Sequence, residues 1–115
     1  MNPEGAQKAR ILIKKMLSDM LNPKELEQDL RGLGNKWFAF QHLRFGMQIR
    51  NYLRSNGMTE DEVGIDNWDD YYGDIFESVV FDLFSIDLPN IEADEQYIKQ
   101  HYYWRADIRG VAWTN

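Results

Sequence analysis

His42 and Arg50 are the residues whose types and positions most directly suggest chemistry. Both project into the apolar arc of a helix predicted over residues 36–55, and Asp82 projects near the apolar side of a helix predicted over residues 67–84. A buried charge without a partner is costly, so we expect these three groups to bind one another or backbone carbonyls.

Two interpretations of this cluster are open. In the first, a structural ion pair joins the third and fourth helices, as is usual for buried polar groups. In the second, Arg50 lines a pocket and binds an anionic ligand, while His42 donates or accepts a proton. A closed, inward cluster would favour the first interpretation, and a concave opening would favour the second.

Four carboxylates form a second constellation. An α-helix would place them on one face, at positions i, i+4, i+8 and i+11: Asp66, Asp70, Asp74 and Glu77. Such oxygens could bind Mg²⁺ or Ca²⁺, but the spacing of a calcium-binding loop and its central glycine are absent. We therefore expect no metal here and assign these four residues to a partner-binding surface.

Other catalytic chemistry finds little support. The chain has no cysteine, which excludes disulfides, thiolate metal sites and cysteine nucleophiles. Its two histidines, His42 and His101, stand in no zinc-binding arrangement. Neither a glycine-rich phosphate loop nor a serine elbow is present. We expect no cofactor and assign no catalytic residue.

The stretch HLRFGMQIRN, residues 42–51, resembles the H-F-G-L-G-M-x-I-R-N signature of a family of small uncharacterised bacterial helical domains. In that family an H-P-D-D-x-S helix start follows downstream. The residues that match the two motifs are His42, Gly46, Met47, Ile49, Arg50, Asn51, Asp69 and Asp70. Asn67 and Trp68 replace the family's His-Pro, and Tyr72 replaces its Ser. No activity is assigned to the family, so the resemblance, over residues 37–84, implies only that His42, Arg50 and Asp69-Asp70 act as a unit.

The elements that position these residues are predicted to be helices. Apolar residues recur at three and four residues in five segments, near 3–21, 23–33, 36–55, 67–84 and 92–108. Asn22 and Pro23 are typical of a helix start. The third segment has a broad apolar arc that includes Leu43 and Met47. The sequence predicts a single all-α domain over residues 1–115, with the third and fourth helices central and the fifth covering them.

Charge is divided along the chain. Residues 58–98 contain thirteen acidic residues and no Lys or Arg, whereas residues 1–57 contain ten Lys and Arg against five acids. The acidic block and a pI near 4.8 argue against nucleic-acid binding. The chain lacks the charge pattern of a signal peptide and any apolar run near the roughly 20 residues that span a bilayer, so we expect a cytoplasmic protein.

These observations favour a small non-enzymatic interaction protein whose acidic surface binds a basic partner protein, as immunity proteins and nucleic-acid mimics do. The alternative is an enzyme or anionic-ligand-binding domain that uses His42, Arg50, Asp69 and Asp70. Phe81 and Phe84 fall on the acidic side of the fourth helix and need a cover. We expect the fifth helix to supply it in a monomer, with a homodimer as the alternative.

Overall fold

The first two helices each begin after an asparagine cap, of which the sequence predicted only Asn22. The structure is a computed structural model that describes residues 1–20 and 22–102. The side chain of Asn2 caps α1 (Pro3–Ser18), and that of Asn22 caps α2 (Pro23–Leu33). Each side chain accepts a hydrogen bond from a backbone N–H of the first helical turn, and a proline directly follows each asparagine. The predicted start of the second helix is confirmed, whereas the first ends short of the predicted boundary near residue 21.

The predicted third helix is confirmed as a continuous helical stretch over residues 37–55, but it is not uniformly α-helical. It consists of α3 (Trp37–Gln41), a π-helical segment (His42–Gly46) and α4 (Met47–Ser55). A π-helical turn rotates the residues that follow it relative to those before it. Leu43 and Met47, which we expected in the buried arc, are consequently exposed.

Two side chains hold the connection from α4 to the next long helix. Trp68 is fully buried, and its Nε1 donates a hydrogen bond to the Met58 carbonyl at 2.8 Å. Arg54 on α4 binds the Glu60 carboxylate, with 2.6 Å between Nη2 and Oε2. Glu60 opens the one-turn helix α5 (Glu60–Val63), so both contacts fold the connection back onto the core.

The fourth helix begins later than predicted. The Asn67 side chain accepts a hydrogen bond from the Asp70 N–H at 3.1 Å and starts a 3₁₀ turn, and α6 (Tyr72–Phe84) follows it. Such a local bond offers the backbone an alternative to the α-helix. Asp66 and Asp70 therefore precede α6, and the four carboxylates expected on one helical face are divided.

The last described helix is α7 (Glu95–His101), which we predicted from residue 92 to residue 108. It begins at Glu95 because the Asp94 side chain caps its first turn. Two residues predicted on its inner face, Trp104 and Ile108, lie outside the described residues.

An aromatic cluster forms the centre of the fold. Trp37 stacks on Phe76 of α6, with ring centroids 4.7 Å apart, while Phe38 and Phe45 meet Trp37 edge-on. α1 packs across both α6 and α4. The predicted single all-α domain is confirmed, since the described residues contain no strand. No helix in this part of the chain is both long and apolar enough to cross a membrane.

The pair of Arg54 and Glu60 makes stability depend on pH. The hydrogen bond from Arg54 lowers the pKa of Glu60 from 4.5 to about 2. A depressed folded-state pKa stabilises the fold above the unfolded pKa, and that contribution is lost as pH falls from about 4.5 to about 2. We expect Glu60→Gln to lower the free energy of unfolding at pH 7 but not near pH 2, as measured by urea denaturation.

The matched control is Asp61→Asn, because Asp61 is an exposed neighbour on the same helical turn. It should change stability little at either pH. A loss on Glu60→Gln that is equal at pH 2 and pH 7 would contradict the role of this ion pair.

Candidate functional site

His42 and Tyr72 form the centre of a polar cluster at the edge of the helical core. His42 begins the π-helical segment, Tyr72 begins α6, and His42 Nδ1 lies 2.7 Å from the Tyr72 hydroxyl oxygen. Tyr72 is almost fully buried, and this burial raises the pKa of its hydroxyl although the positive charge of Arg50 opposes the shift. The neutral hydroxyl can therefore donate a hydrogen bond to the His42 imidazole.

Arg50 lies over the same phenol ring. Its Cζ atom is 5.4 Å from the ring centroid, which is within the range of a cation–π contact. Its Nη1 atom lies 2.9 Å from Asp69 Oδ1, an ion pair without directed hydrogen-bond geometry. The Arg50 side chain is 11% exposed and that of Asp69 is 55% exposed. Asp69 thus reaches Arg50 from the surface and neutralises a mostly buried cation.

Gly46 makes this cluster sterically possible. A Cβ atom at this position would lie 2.5 Å from the Tyr72 hydroxyl oxygen and 3.0 Å from Arg50 Nη1. Both His42 and Gly46 belong to the π-helical segment. The imidazole of His42 and the backbone of Gly46 therefore both face the phenol of Tyr72. We call His42, Gly46, Arg50, Asp69 and Tyr72 the Tyr72 cluster.

The Tyr72 cluster has the geometry of a closed network. Tyr72 is buried, Arg50 is nearly so, and the surface depressions between α2 and α7 and on α6 are lined by other residues. Within it His42 and Tyr72 share a hydrogen bond and Asp69 neutralises Arg50, although Arg50 Nη1 has no hydrogen-bond acceptor among the described residues.

Three of the four residues that the resemblance implies act as a unit are brought together, namely His42, Arg50 and Asp69. Asp70 lies apart, because its carboxylate accepts a hydrogen bond from Asn67 Nδ2 at 3.3 Å. Tyr72 joins the three, and sequence reasoning missed its role. No motif or spacing in the sequence signals this role.

The expected partnership of Asp82 with Arg50 is wrong. Asp82 on α6 instead forms an ion pair with Arg10, which also donates a hydrogen bond to Ser78. The cause is the packing of α1 across α6, which brings Arg10 to this face of the helix. Removing Arg50 would therefore not leave Asp82 unpaired. It would leave Asp69, which is exposed and can be solvated by water.

An acidic patch surrounds Phe81 on the outer side of α6. Phe81 is 56% exposed and lines a shallow depression of about 350 Å³. We define the Phe81 patch by five residues of this depression: Asp74, Glu77, Phe81, Asp87 and Pro89. Partial burial raises the pKa of Glu77, and the negative charges of Asp74 and Asp87 add to the shift.

The carboxylates of the Phe81 patch form no ion pair within the described part of the chain. Among residues 1–20 and 22–102, no Lys or Arg forms an ion pair with Asp74, Glu77 or Asp87. The sequence predicted Asp74 and Glu77 for a binding surface but missed Asp87, which the turn after α6 brings beside them. Phe84 is partly buried, whereas Phe81, which we expected to be covered, is exposed in the described part of the fold.

A second polar network joins α2, α3 and α7. Asp29 Oδ1 accepts hydrogen bonds from the hydroxyls of Tyr97 and Tyr102 at 2.9 and 2.6 Å, and Oδ2 accepts one from Gln41 Nε2 at 3.2 Å. Burial and the bond to Asp29 together raise the pKa of both tyrosines. This network was missed because its members are distant in sequence and follow no motif.

The described residues contain no group of His, Asp and Glu side chains arranged to hold a metal ion. Comparisons with protein-family models, curated proteins and solved structures find no match. The two candidate sites are therefore defined by the chain's own geometry.

The contact between Gly46 and Tyr72 predicts an unusually costly glycine substitution. We expect Gly46→Ala to lower the free energy of unfolding by about 2 kcal/mol or more, because the new methyl group meets both the phenol and the guanidinium. Urea denaturation followed by circular dichroism measures this change.

Gly73→Ala is the matched control, since its methyl group would lie 3.8 Å from Phe38, an ordinary contact. It should leave stability unchanged or raise it by up to about 1 kcal/mol, as Ala favours a helix over Gly. Equal effects of the two substitutions would show that Gly46 is not under steric constraint.

Proposed function

We propose that this protein is a non-enzymatic binding domain whose acidic surface recognises a basic patch on a partner protein. The observation that carries the proposal is the Phe81 patch, in which an exposed aromatic side chain stands among three carboxylates that form no ion pair with any described residue. Asp66 and Asp70, which we also expected to bind the partner, are exposed on the segment before α6 and lie outside this patch.

The composition of the patch supports a binding role beyond solubility. An exposed aromatic ring is the kind of side chain that contributes most to binding when a partner buries it. Unpaired carboxylates around it would meet Lys or Arg of the partner without first breaking an internal ion pair. A patch kept only for solubility has no need of Phe81, whose exposure carries a risk of aggregation.

The arrangement of charge favours a cationic partner in particular. Arg10 is occupied by Asp82 and Ser78 at the border of the patch, so it does not neutralise Asp74 or Glu77. The absence of Lys and Arg from residues 58–98 leaves a negative potential that would accelerate encounter with a positive surface.

The rival function is an enzyme or anionic-ligand-binding domain centred on His42, Arg50, Asp69 and Asp70. The residue of this cluster that would bind an anion is Arg50. Its side chain is mostly buried and already forms an ion pair with Asp69. Asp70 is directed to Asn67 instead. A closed network of this kind supports a structural role, and the Phe81 patch is the better candidate surface.

The proposal is tested by charge reversal within the patch. The variant Asp74→Lys/Glu77→Lys/Asp87→Lys should keep its fold, because Asp74 and Asp87 are exposed and Glu77 is only partly buried. It should lose the partners that wild-type protein captures from a native lysate at low salt. Capture by the wild type should itself fall above roughly 0.15 M salt, where exposed charges are largely screened.

The matched control reverses three exposed acids outside the patch, Asp19→Lys/Asp61→Lys/Glu92→Lys, and so produces the same net charge. It should retain the captured partners. Phe81→Ser should weaken binding of an isolated partner by about tenfold or more, measured by calorimetry. If the patch variant and the control lose binding equally, overall charge and not the patch is responsible, and the proposal fails.

A further inference from the structure

The outer face of α1 is basic and has one exposed apolar residue at its centre. Ile11 is 58% exposed, and three exposed lysines lie three or four residues away from it along the helix, Lys8, Lys14 and Lys15. Residues at this spacing are neighbours on a helix surface, so all three lysines flank Ile11. None of them forms an ion pair within the described part of the chain. We call these four residues the Ile11 face.

The Ile11 face and the Phe81 patch have similar compositions and opposite charges. Each has one large apolar side chain that is more than half exposed, and each surrounds it with three charged side chains. Neither set of charges forms an ion pair among residues 1–20 and 22–102. An apolar centre with a polar rim is typical of protein interfaces, and opposite charges on the two rims give them electrostatic complementarity. Each surface therefore has the chemistry to bind the other.

The two surfaces adjoin in one chain but form no ion pair with each other. Arg10, which directly precedes Ile11, binds Asp82 and Ser78 on α6, and Ser78 also lines the depression of the Phe81 patch. These contacts hold α1 against α6, so that the Ile11 face and the Phe81 patch lie on either side of a border at Arg10. While the two helices stay packed in this way, the lysines and carboxylates can pair only between two molecules.

We propose that the basic partner of the Phe81 patch is a second copy of this chain, which binds the patch through its Ile11 face. The inference rests on the proposed function, because it names the partner of the same patch. Since the two surfaces adjoin, a two-fold rotation about the border between them can bring the Ile11 face of each copy to the Phe81 patch of the other. The same contact then forms twice, which gives a closed dimer.

A second copy is favoured over an unrelated basic protein because one chain supplies both surfaces. A dimer joins three lysines to three carboxylates in each of its two contacts and covers both Ile11 and Phe81. An unrelated partner on the Phe81 patch would leave the Ile11 face uncovered. Individual exposed ion pairs contribute little, so the dimer should depend on the whole set of charges and weaken as salt screens them.

Charge exchange between the two surfaces tests this dimer in the full chain. The face variant is Lys8→Glu/Lys14→Glu/Lys15→Glu, and the patch variant is the reversal of the three patch carboxylates described above. Each variant alone should be monomeric in sedimentation velocity, since like charges meet in both contacts. An equimolar mixture of the two should form a heterodimer, because every contact then joins opposite charges. The wild type should dimerise at about 0.05 M salt and at least about tenfold more weakly at about 0.5 M.

The control for net charge is Asp61→Lys/Glu62→Lys/Glu92→Lys, three exposed acids outside both surfaces. This variant has the net charge of the patch variant but keeps the carboxylates of the patch. Mixed with the face variant, it should not form the heterodimer, because one of the two contacts still joins like charges.

The apolar centres are tested separately from the charges. Ile11→Ser should weaken the wild-type dimer by about tenfold or more, because each copy loses the side chain that the other buries. Met47→Ser is the matched control, since Met47 is an exposed apolar residue outside both surfaces and should leave the dimer unchanged.

Two results would overturn the proposal and leave the proposed function standing. The first is a wild type that stays monomeric at low salt while reversal of the patch still abolishes capture of a lysate protein, which would identify a different partner. The second is a dimer that persists in both charge variants, which would identify another interface between copies. If the mixture of the two variants fails to associate, the proposal is also wrong. If neither dimerisation nor capture depends on the patch, the proposed function fails with it.

Discussion

The fold depends on the close approach of the Tyr72 hydroxyl to the backbone of Gly46. This contact lets the side chain of Tyr72, the first residue of α6, pack against the π-helical segment. There its hydroxyl forms a hydrogen bond with His42 and its ring lies beneath the guanidinium of Arg50. Trp37 and Phe76 then stack one turn away on either side of the same junction. A side chain at residue 46 would force α6 outward and open both the polar cluster and the aromatic core.

Ion pairs within the fold account for some of the charged residues and leave other acids for binding a partner. Four cations of the basic half form ion pairs with the acidic block within the fold, namely Arg10, Lys36, Arg50 and Arg54. Among the acids that have no ion pair in the described part of the chain, Asp74, Glu77 and Asp87 lie around an exposed aromatic ring. The surface proposed for binding is thus drawn from acids that these ion pairs do not use.

Local sequence was sufficient to predict which segments are helical and insufficient for several of their bounds and for their contacts. The starts at Asn2 and Asn22 follow from capping chemistry that acts within four residues. The π-helical segment could not be foreseen, because helical periodicity assumes one uniform turn and so misplaced Leu43. The pairing of Asp82 with Arg10 depends on how α1 crosses α6. That is a long-range contact, which the spacing of residues along one helix cannot predict. Arg50 was identified from its position in the apolar arc of the predicted third helix, whereas nothing in the spacing singled out Gly46.

The most direct test of the account is a double-mutant cycle between Gly46→Ala and Tyr72→Phe, with free energies of unfolding measured in urea. If the hydroxyl is what the methyl group meets, Gly46→Ala should cost at least about 1 kcal/mol less in the Tyr72→Phe background than in the wild type. Additive effects, within about 0.5 kcal/mol, would show that the two positions do not constrain each other and would contradict the central role of their contact.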